Sequence, residues 1–474
     1  MITRHEHADW LGGPGEQPPD APARQILGVT ESAWVSVEPT LDATAAAACR
    51  MADFHARAGQ VCLAPDHDGA LREVYFGLGD GSGGAMAYRA LPKRLSAGSY
   101  RLTRPVNAEP GFEEAAVVAW GLGAYRFDRY RSKPAPEVAR IVDVPTEIER
   151  RARAIVGACA LARDMVNTPA NDMGPAEIAQ AANDLATAHG AGLTVTGGAE
   201  LLSAGYPAVH AVGRAATGDR APRFVELSWG ATSHRHLVII GKGVSFDTGG
   251  LDLKPSSGMR WMKKDMGGAA HALALGSMIM TLGLPIRLTV LIPAVENAVG
   301  PDAMRPGDVL ATRKGLSVEV GNTDAEGRLI LADALTRADE LKPDLTLDLA
   351  TLTGAARVAL GPQVVPFFTP DDRLAAKLAA ASSAVQDPLW RMPLWKDYAP
   401  ALESDIADIK NDPDAWAQAG SVTAALFLQR FAPAGPWAHF DIFAWNARAR
   451  PGWPTGAEAQ AIRAIFAMLE AWSA

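Results

Sequence analysis

Cysteine is scarce: there are three in 474 residues, Cys49, Cys62 and Cys159, widely spaced and without a Cys-x-x-Cys pair. An odd, scattered set argues against a disulfide framework and a zinc ribbon, and it suits a reducing cytoplasm. Positive charge is in deficit as well, 45 Lys plus Arg against 53 Asp plus Glu, a formal net charge of -8. With no global basic field to draw in nucleic acid or an anionic membrane, a small-molecule or peptide substrate fits better. The common catalytic boxes are missing too. There is no H-E-x-x-H; the ten histidines are scattered, His234 and His236 flank a strand start, and His271 sits in an apolar stretch where it reads as a core residue. No G-x-S-x-G elbow offers a serine nucleophile, and Lys242-Gly243 lacks the flanking residues of a P-loop. Gly79 to Gly84 formally spells G-x-G-x-x-G, but no amphipathic helix follows it and it reads as a turn. Met1 to Trp10 has no signal-peptide apolar core. One segment, Met266 to Ile286, carries no Asp, Glu, Lys or Arg and is long enough to span a bilayer. It is rich in Gly and Ala, contains His271 and follows Lys263-Lys264-Asp265, so a helix buried inside the protein is the better reading.

What is present is a large apolar fraction, 48%, in a chain long enough for two domains. Residues 1–145 read as a small α/β domain, with apolar runs at Val61 to Leu63, Glu73 to Phe76 and Ala115 to Trp120 and a helical stretch from Ala43 to Ala58. Ser132-Lys-Pro-Ala-Pro136 is the expected linker start. Residues 146–474 read as the larger domain, opening with a connecting helix over Thr146 to Val166 and a second over Ala176 to His189. Strands and helices then alternate: strands at Leu193 to Thr196, Arg223 to Ser228, His236 to Phe246, Ile286 to Pro293, Leu316 to Val320 and Leu345 to Leu349, helices at 266–282 and 326–341. This predicts an α/β fold, a central mixed sheet flanked by helices.

The acidic residues gather at strand-to-helix passages. Leu316 to Val320 runs into Asn322-Thr-Asp-Ala-Glu-Gly-Arg328, and Ile330, Ala334, Leu335, Ala338 and Leu341 then mark one helix face. Asp324 and Glu326 lie two apart, so an extended backbone would point both the same way. Taken alone, Asp324 would cap the helix and Glu326 complement its dipole. Asp247 and Asp265 follow other apolar runs, at the sheet edge where α/β proteins bind ligands. Four facing carboxylates cannot all stay ionised unless cations neutralise them, which implies bound divalent metal.

Asn322-Thr-Asp-Ala-Glu-Gly-Arg-Leu329 resembles the signature of the leucyl aminopeptidases, cytosolic dinuclear-metal peptidases. Gly241-Lys-Gly-Val-Ser-Phe-Asp-Thr-Gly-Gly250 and Met262-Lys-Lys-Asp-Met-Gly-Gly-Ala-Ala270 resemble the family's other metal loops, and similar stretches extend from about residue 120 to the C-terminus. The resemblance implies a divergent macro-like N-terminal domain and release of N-terminal, leucine-type residues from peptides. It implies two divalent ions, Zn or Mn with Mg or Co as alternatives. Asp247 and Glu326 would bridge them, Asp324 would complete one ligand set, and Lys242 with Asp265 the other. Lys254 would face the tetrahedral oxyanion and Arg328 would hold a bicarbonate general base. A cytoplasmic homohexamer is the expected assembly, with neither membrane nor nucleic acid as partner. Met262, Thr351 and Gly354 match the side-chain pocket. Its closing wall departs from the usual His-Leu-Asp-Ile-Ala-Gly, reading His439-Phe-Asp-Ile-Phe-Ala444, so that Phe443 either narrows the pocket or turns into the core. A metal-dependent phosphoesterase and a non-catalytic scaffold of the same fold are the alternative readings.

Overall fold

The computed structural model describes residues 9–12, 22–105, 108–133, 137–413 and 418–473. Residues 1–8, which dominate the stretch lacking a signal-peptide core, and Pro134 to Pro136 of the expected linker lie outside them. The chain forms two compact units, one from the described residues up to Gly157 with Arg448–Pro454, the other from Ala158–Ala447 with the residues from Thr455 onward. The division falls inside the helix Thr146–Asn167, whereas the sequence reading set it at the start of that helix.

The first unit holds five strands, β1 (Arg24–Val29), β2 (Val61–Pro65), β3 (Leu71–Gly77), β4 (Gly98–Thr103) and β5 (Ala139–Ile141), in the order β2-β3-β1-β4-β5. Ala115 to Trp120 is not a strand but lies within the helix Phe112–Ala124, buried from Ala116 to Ala124. A segment apolar all round carries no period to separate the two states. The helix from Ala43 ends at Met51 rather than Ala58, because Asp53 and Ala56 adopt left-handed backbone (φ 47° and 55°).

The second unit is built on a mixed sheet. Its strands are β6 (Gly192–Gly197), β7 (Arg223–Trp229), β8 (Arg235–Gly241), β9 (Gly243–Asp247), β10 (Ile286–Asn297), β13 (Leu345–Ala350), β14 (Val365–Phe368), β15 (Leu389–Arg391) and β17 (Trp437–Asp441). They run β15-β14-β17-β13-β8-β10-β7-β6, with β9 also on β10. β17, β13, β8 and β10 are parallel neighbours, and β13 is buried throughout, as expected of a strand covered on both faces. The expected strand from His236 to Phe246 divides at Lys242. β8 lies between β13 and β10, whereas β9 continues along β10 alone. At the fork the Lys242 amide donates to Leu349 O (3.0 Å) and the Ala269 amide to Lys242 O (2.8 Å), so the helix Gly267–Leu282 abuts the strand ends. A Cβ on Gly268 would come within 2.1 Å of Leu349 O, and only glycine permits that approach.

Leu316 to Val320 requires a correction. Its strand, β12 (Ser317–Glu319), belongs not to the main sheet but to a separate three-stranded one with β11 (Val309–Ala311) and β16 (Ile409–Lys410). Asp324 and Glu326 therefore reach the site from a small accessory sheet, through the helix Glu326–Glu340. Met266 to Ile286 is mostly the buried helix Gly267–Leu282, and among the described residues no helix is long and apolar enough to cross a membrane.

Candidate metal centre and its cavity

Asp247, the last residue of β9, is held on both oxygens. Oδ1 accepts from the Gly249 amide (2.9 Å) and Asn297 Nδ2 (2.8 Å), and Oδ2 lies 2.9 Å from Lys254 Nζ. Lys242, at the fork, places Nζ 2.6 Å from Asp265 Oδ2 and 3.0 Å from Glu326 Oε1, and donates to Thr351 O at 3.2 Å. Asp265 comes from the short 3₁₀ turn Met262–Met266, with its Oδ1 fixed by Thr351 Oγ1 at 2.7 Å. Asp324 contacts Lys254 Nζ. The segment before Glu326 is a turn, not the extended backbone expected. The Asp324 amide donates to Asn322 Oδ1 (2.8 Å), and the Asp252 carboxylate accepts from the Thr323 amide (2.7 Å). Glu326, the first helical residue, joins Asp247 and Asp265 in a close trio, whereas Asp324, on that turn, stands against Lys254 beside it.

Carboxylate oxygens of Asp247, Asp265 and Glu326 lie within 4.8 Å of one another, all three residues buried. Among the described residues, both oxygens of Glu326, Oδ1 of Asp324 and Oδ2 of Asp265 accept no aligned hydrogen bond; Glu326 Oε1 and Asp265 Oδ2 meet only the Lys242 ammonium, Asp324 Oδ1 only that of Lys254, and Glu326 Oε2 has no partner at all. Burial, then the charge of Asp247, pushes Glu326 up to about 8 and Asp324 up to about 6. Burial also acts to raise Asp265, but Lys242 and Lys264 outweigh it and hold that carboxyl below its ordinary value. Burial disfavours the Lys242 ammonium, yet Asp265, Glu326 and Asp247 more than offset it and raise its pKa. Lys254 is raised in the same way, against burial, by Asp247 and Asp324. Buried anionic oxygens without donors are expensive, and a set of hard oxygens with one amine among them suits a divalent cation. The residues fit the metal that the sequence implied.

Beside the cluster opens a cavity of about 600 Å³, lined by Lys242, Asp247, Lys254, Asp265, Asp324 and Arg328; Glu326 is buried against Lys242. Met262, Thr351, Gly354 and Phe443 line the same cavity. Arg328 is buried, which holds its guanidinium below the usual range. It donates through Nη1 to Asn411 O, while Nε has no partner among the described residues. The half-buried Phe443 ring faces the cavity, with Trp261 at 6.4 Å, Lys264 Nζ at 5.3 Å and Arg357 Cζ at 5.2 Å. The Phe443 and Ala444 amides donate to Gln460 Oε1 (3.0 and 2.7 Å), and Ala444 is left-handed (φ 56°), which fixes the turn that presents the ring.

Asn297, Lys264, Arg357 and Asn411 were not singled out in the sequence. Asn297 closes an apolar run, Arg357 sits in an ordinary helix and Asn411 ends a two-residue strand, so each shows its role only once the fold brings it in. Lys264 adjoins Asp265, and that adjacency was the available signal. His271 is a satisfied core residue: Nδ1 donates to Gly267 O (2.6 Å) and Nε2 accepts from the Gln460 amide (3.0 Å), which assigns the neutral tautomer.

A buried carboxylate and lysine cluster at the carboxyl ends of parallel strands, opening on a cavity, defines a metal-dependent hydrolase. The catalytic-domain profile of the cytosol aminopeptidase family matches residues 160–466, and that of the M17 aminopeptidase N-terminal domain matches residues 22–145. A Roseiflexus castenholzii protein named "Probable cytosol aminopeptidase" is 40% identical over 401 residues, 80% of this chain and 81% of that one. The crystal structure of a cytosol aminopeptidase from Coxiella burnetii superposes with a TM-score of 0.92 at 42% identity, over 98% of this chain and 100% of that one. The bottromycin maturation enzyme BotP, in complex with Mn, gives a TM-score of 0.87 at 36% identity, over 96% and 100% of the two chains. The chain belongs to the cytosol aminopeptidase family: it is a metallo-exopeptidase of leucine type, which removes N-terminal amino acids.

Proposed function

We propose that the cluster holds two divalent ions, Zn or Mn with Mg or Co as alternatives, and that Asp247, Glu326, Asp324, Lys242 and Asp265 would be the residues that hold them. The observation that carries this reading is Glu326, whose two buried oxygens accept no aligned hydrogen bond among the described residues while facing two other acidic side chains. Bound there, such ions lower the pKa of water towards about 7 and polarise a peptide carbonyl. The chain's own residues then divide the work. Lys254, aligned between Asp247 and Asp324, presents an ammonium to the oxygen that becomes anionic as the peptide carbonyl turns tetrahedral. Arg328, which lines the cavity, would hold a bicarbonate by its planar fork, an anion able to serve as general base toward the attacking water. Thr351 fixes Asp265 by donating to it. The acidic cluster receives the substrate's α-amine, so that the first peptide bond is presented for cleavage. By likeness to the family, the protein works as a cytoplasmic homohexamer on peptide substrates.

The test is hydrolysis of leucine amide before and after chelation, with metal content measured on the same samples. Chelation should abolish turnover and Mn or Zn should restore it. Full activity in metal-free protein would refute the reading.

A further inference from the structure

The wall around Phe443 carries positive charge with almost nothing to balance it. Lys264 is only 6% exposed, yet its ammonium has no hydrogen-bond acceptor among the described residues; its one ion-pair contact is Asp265 Oδ1 at a long 3.8 Å. Asp265 is itself already engaged by Lys242 and Thr351. The neighbouring Lys263 shows the contrast, since its Nζ donates to Asn167 O at 2.5 Å and points to the Trp445 ring. Arg357 lies against the same Phe443 ring, at 5.2 Å, and its guanidinium has no carboxylate partner among the described residues. Both cations and the ring line the cavity. The other acidic groups of the lining are spoken for: Asp247 and Asp324 contact Lys254, and Asp412 accepts from Asn322 Nδ2 at 3.3 Å.

A buried lysine without an acceptor is costly, and ring faces only partly offset that cost. A carboxylate entering the cavity would satisfy Lys264 with a charge-assisted hydrogen bond and give Arg357 a planar partner. We propose that Lys264 and Arg357 form, beside Phe443, a subsite for the side-chain carboxylate of an N-terminal glutamate or aspartate, extending the range of this leucine-type enzyme to acidic residues. The inference rests on the aminopeptidase reading and adds to it a determinant of substrate choice.

The experiment compares kcat/KM for glutamate amide and leucine amide in the metal-loaded wild type, Lys264→Met and Arg357→Met, with metal content and inhibition by free L-glutamate and L-leucine recorded alongside. The wild type should hydrolyse glutamate amide. Lys264→Met should lower the glutamate-to-leucine ratio by roughly tenfold or more and weaken inhibition by L-glutamate relative to L-leucine. Arg357→Met, at an exposed position that folding does not depend on, should move both readouts in the same direction. Cleavage of leucine amide with a ratio unchanged in both variants overturns the subsite and leaves the aminopeptidase reading standing. Failure of the metal-loaded wild type to cleave either amide overturns both.

Discussion

Glu326 and Asp324 stand at the centre of the proposed chemistry, and their sequence neighbours show why two readings were open. A carboxylate at a helix start is ordinarily a cap or dipole partner, but Glu326 accepts no hydrogen bond and is pushed up to about 8 by burial and then by Asp247. Glu326→Gln and Asp324→Asn should each lose activity by orders of magnitude and lose bound metal, with thermal melting little changed. Normal hydrolysis by Glu326→Gln would make it a helix-end residue after all. Arg328→Ala should slow turnover while keeping the metal, and added bicarbonate should no longer stimulate it; loss of metal would mark Arg328 as structural. His271 provides a pH signature outside the site. Burial lowers its pKa from 6.5 to about 4, so the folded protein keeps it neutral while the unfolded chain binds a proton near 6.5. Its contribution to stability is full above about 6.5 and is lost as pH falls towards 4, a change on the order of 3 kcal/mol. His271→Asn should flatten the dependence of the denaturation midpoint on pH between those values, and an unaltered slope would contradict the assignment.

At the scale of elements, the helix Glu326–Glu340 and the fork at Lys242 meet through one glycine. A Cβ on Gly327 would lie 2.5 Å from Lys242 Cε and 2.7 Å from Nζ, the end of a buried side chain held by Asp265, Glu326 and Thr351. Gly327→Ala should therefore displace Lys242 and lower activity by up to about a hundredfold. Gly268→Ala meets backbone instead, Leu349 O at 2.1 Å, and should reduce the melting temperature itself. Strong periodicity and apolar runs made β7, β8, β10, β13 and the 326–340 helix legible in the sequence. The partner of β12 was not legible, because a strand's own residues do not say which sheet it joins. The carboxylates were legible as a group because each follows a strand or turn that the motifs delimit. Lys264 and Arg357 acquire meaning only from the Phe443 ring that both approach, which is set by the left-handed Ala444 and by Gln460, sixteen residues further along.

For the molecule as a whole, the site gathers residues from Lys242 to Phe443, and the ions it holds should join these segments thermodynamically as well as catalytically. Any ligand bound by the folded chain and not the unfolded one adds stability that grows with its concentration. Metal-loaded protein should therefore melt at a higher temperature than chelated protein, an increment that Glu326→Gln should largely remove. Among the described residues, those of the cavity lining belong to the second unit, and the composition of the N-terminal unit showed an α/β domain without showing a role. The central claim is that two ions act in one carboxylate cluster. Its most direct test is a titration of metal-stripped protein with Mn or Zn, in which bound metal per chain and hydrolysis of leucine amide are followed together. Activity should rise to its plateau as occupancy approaches two ions per chain; a plateau reached at less than one would contradict the account.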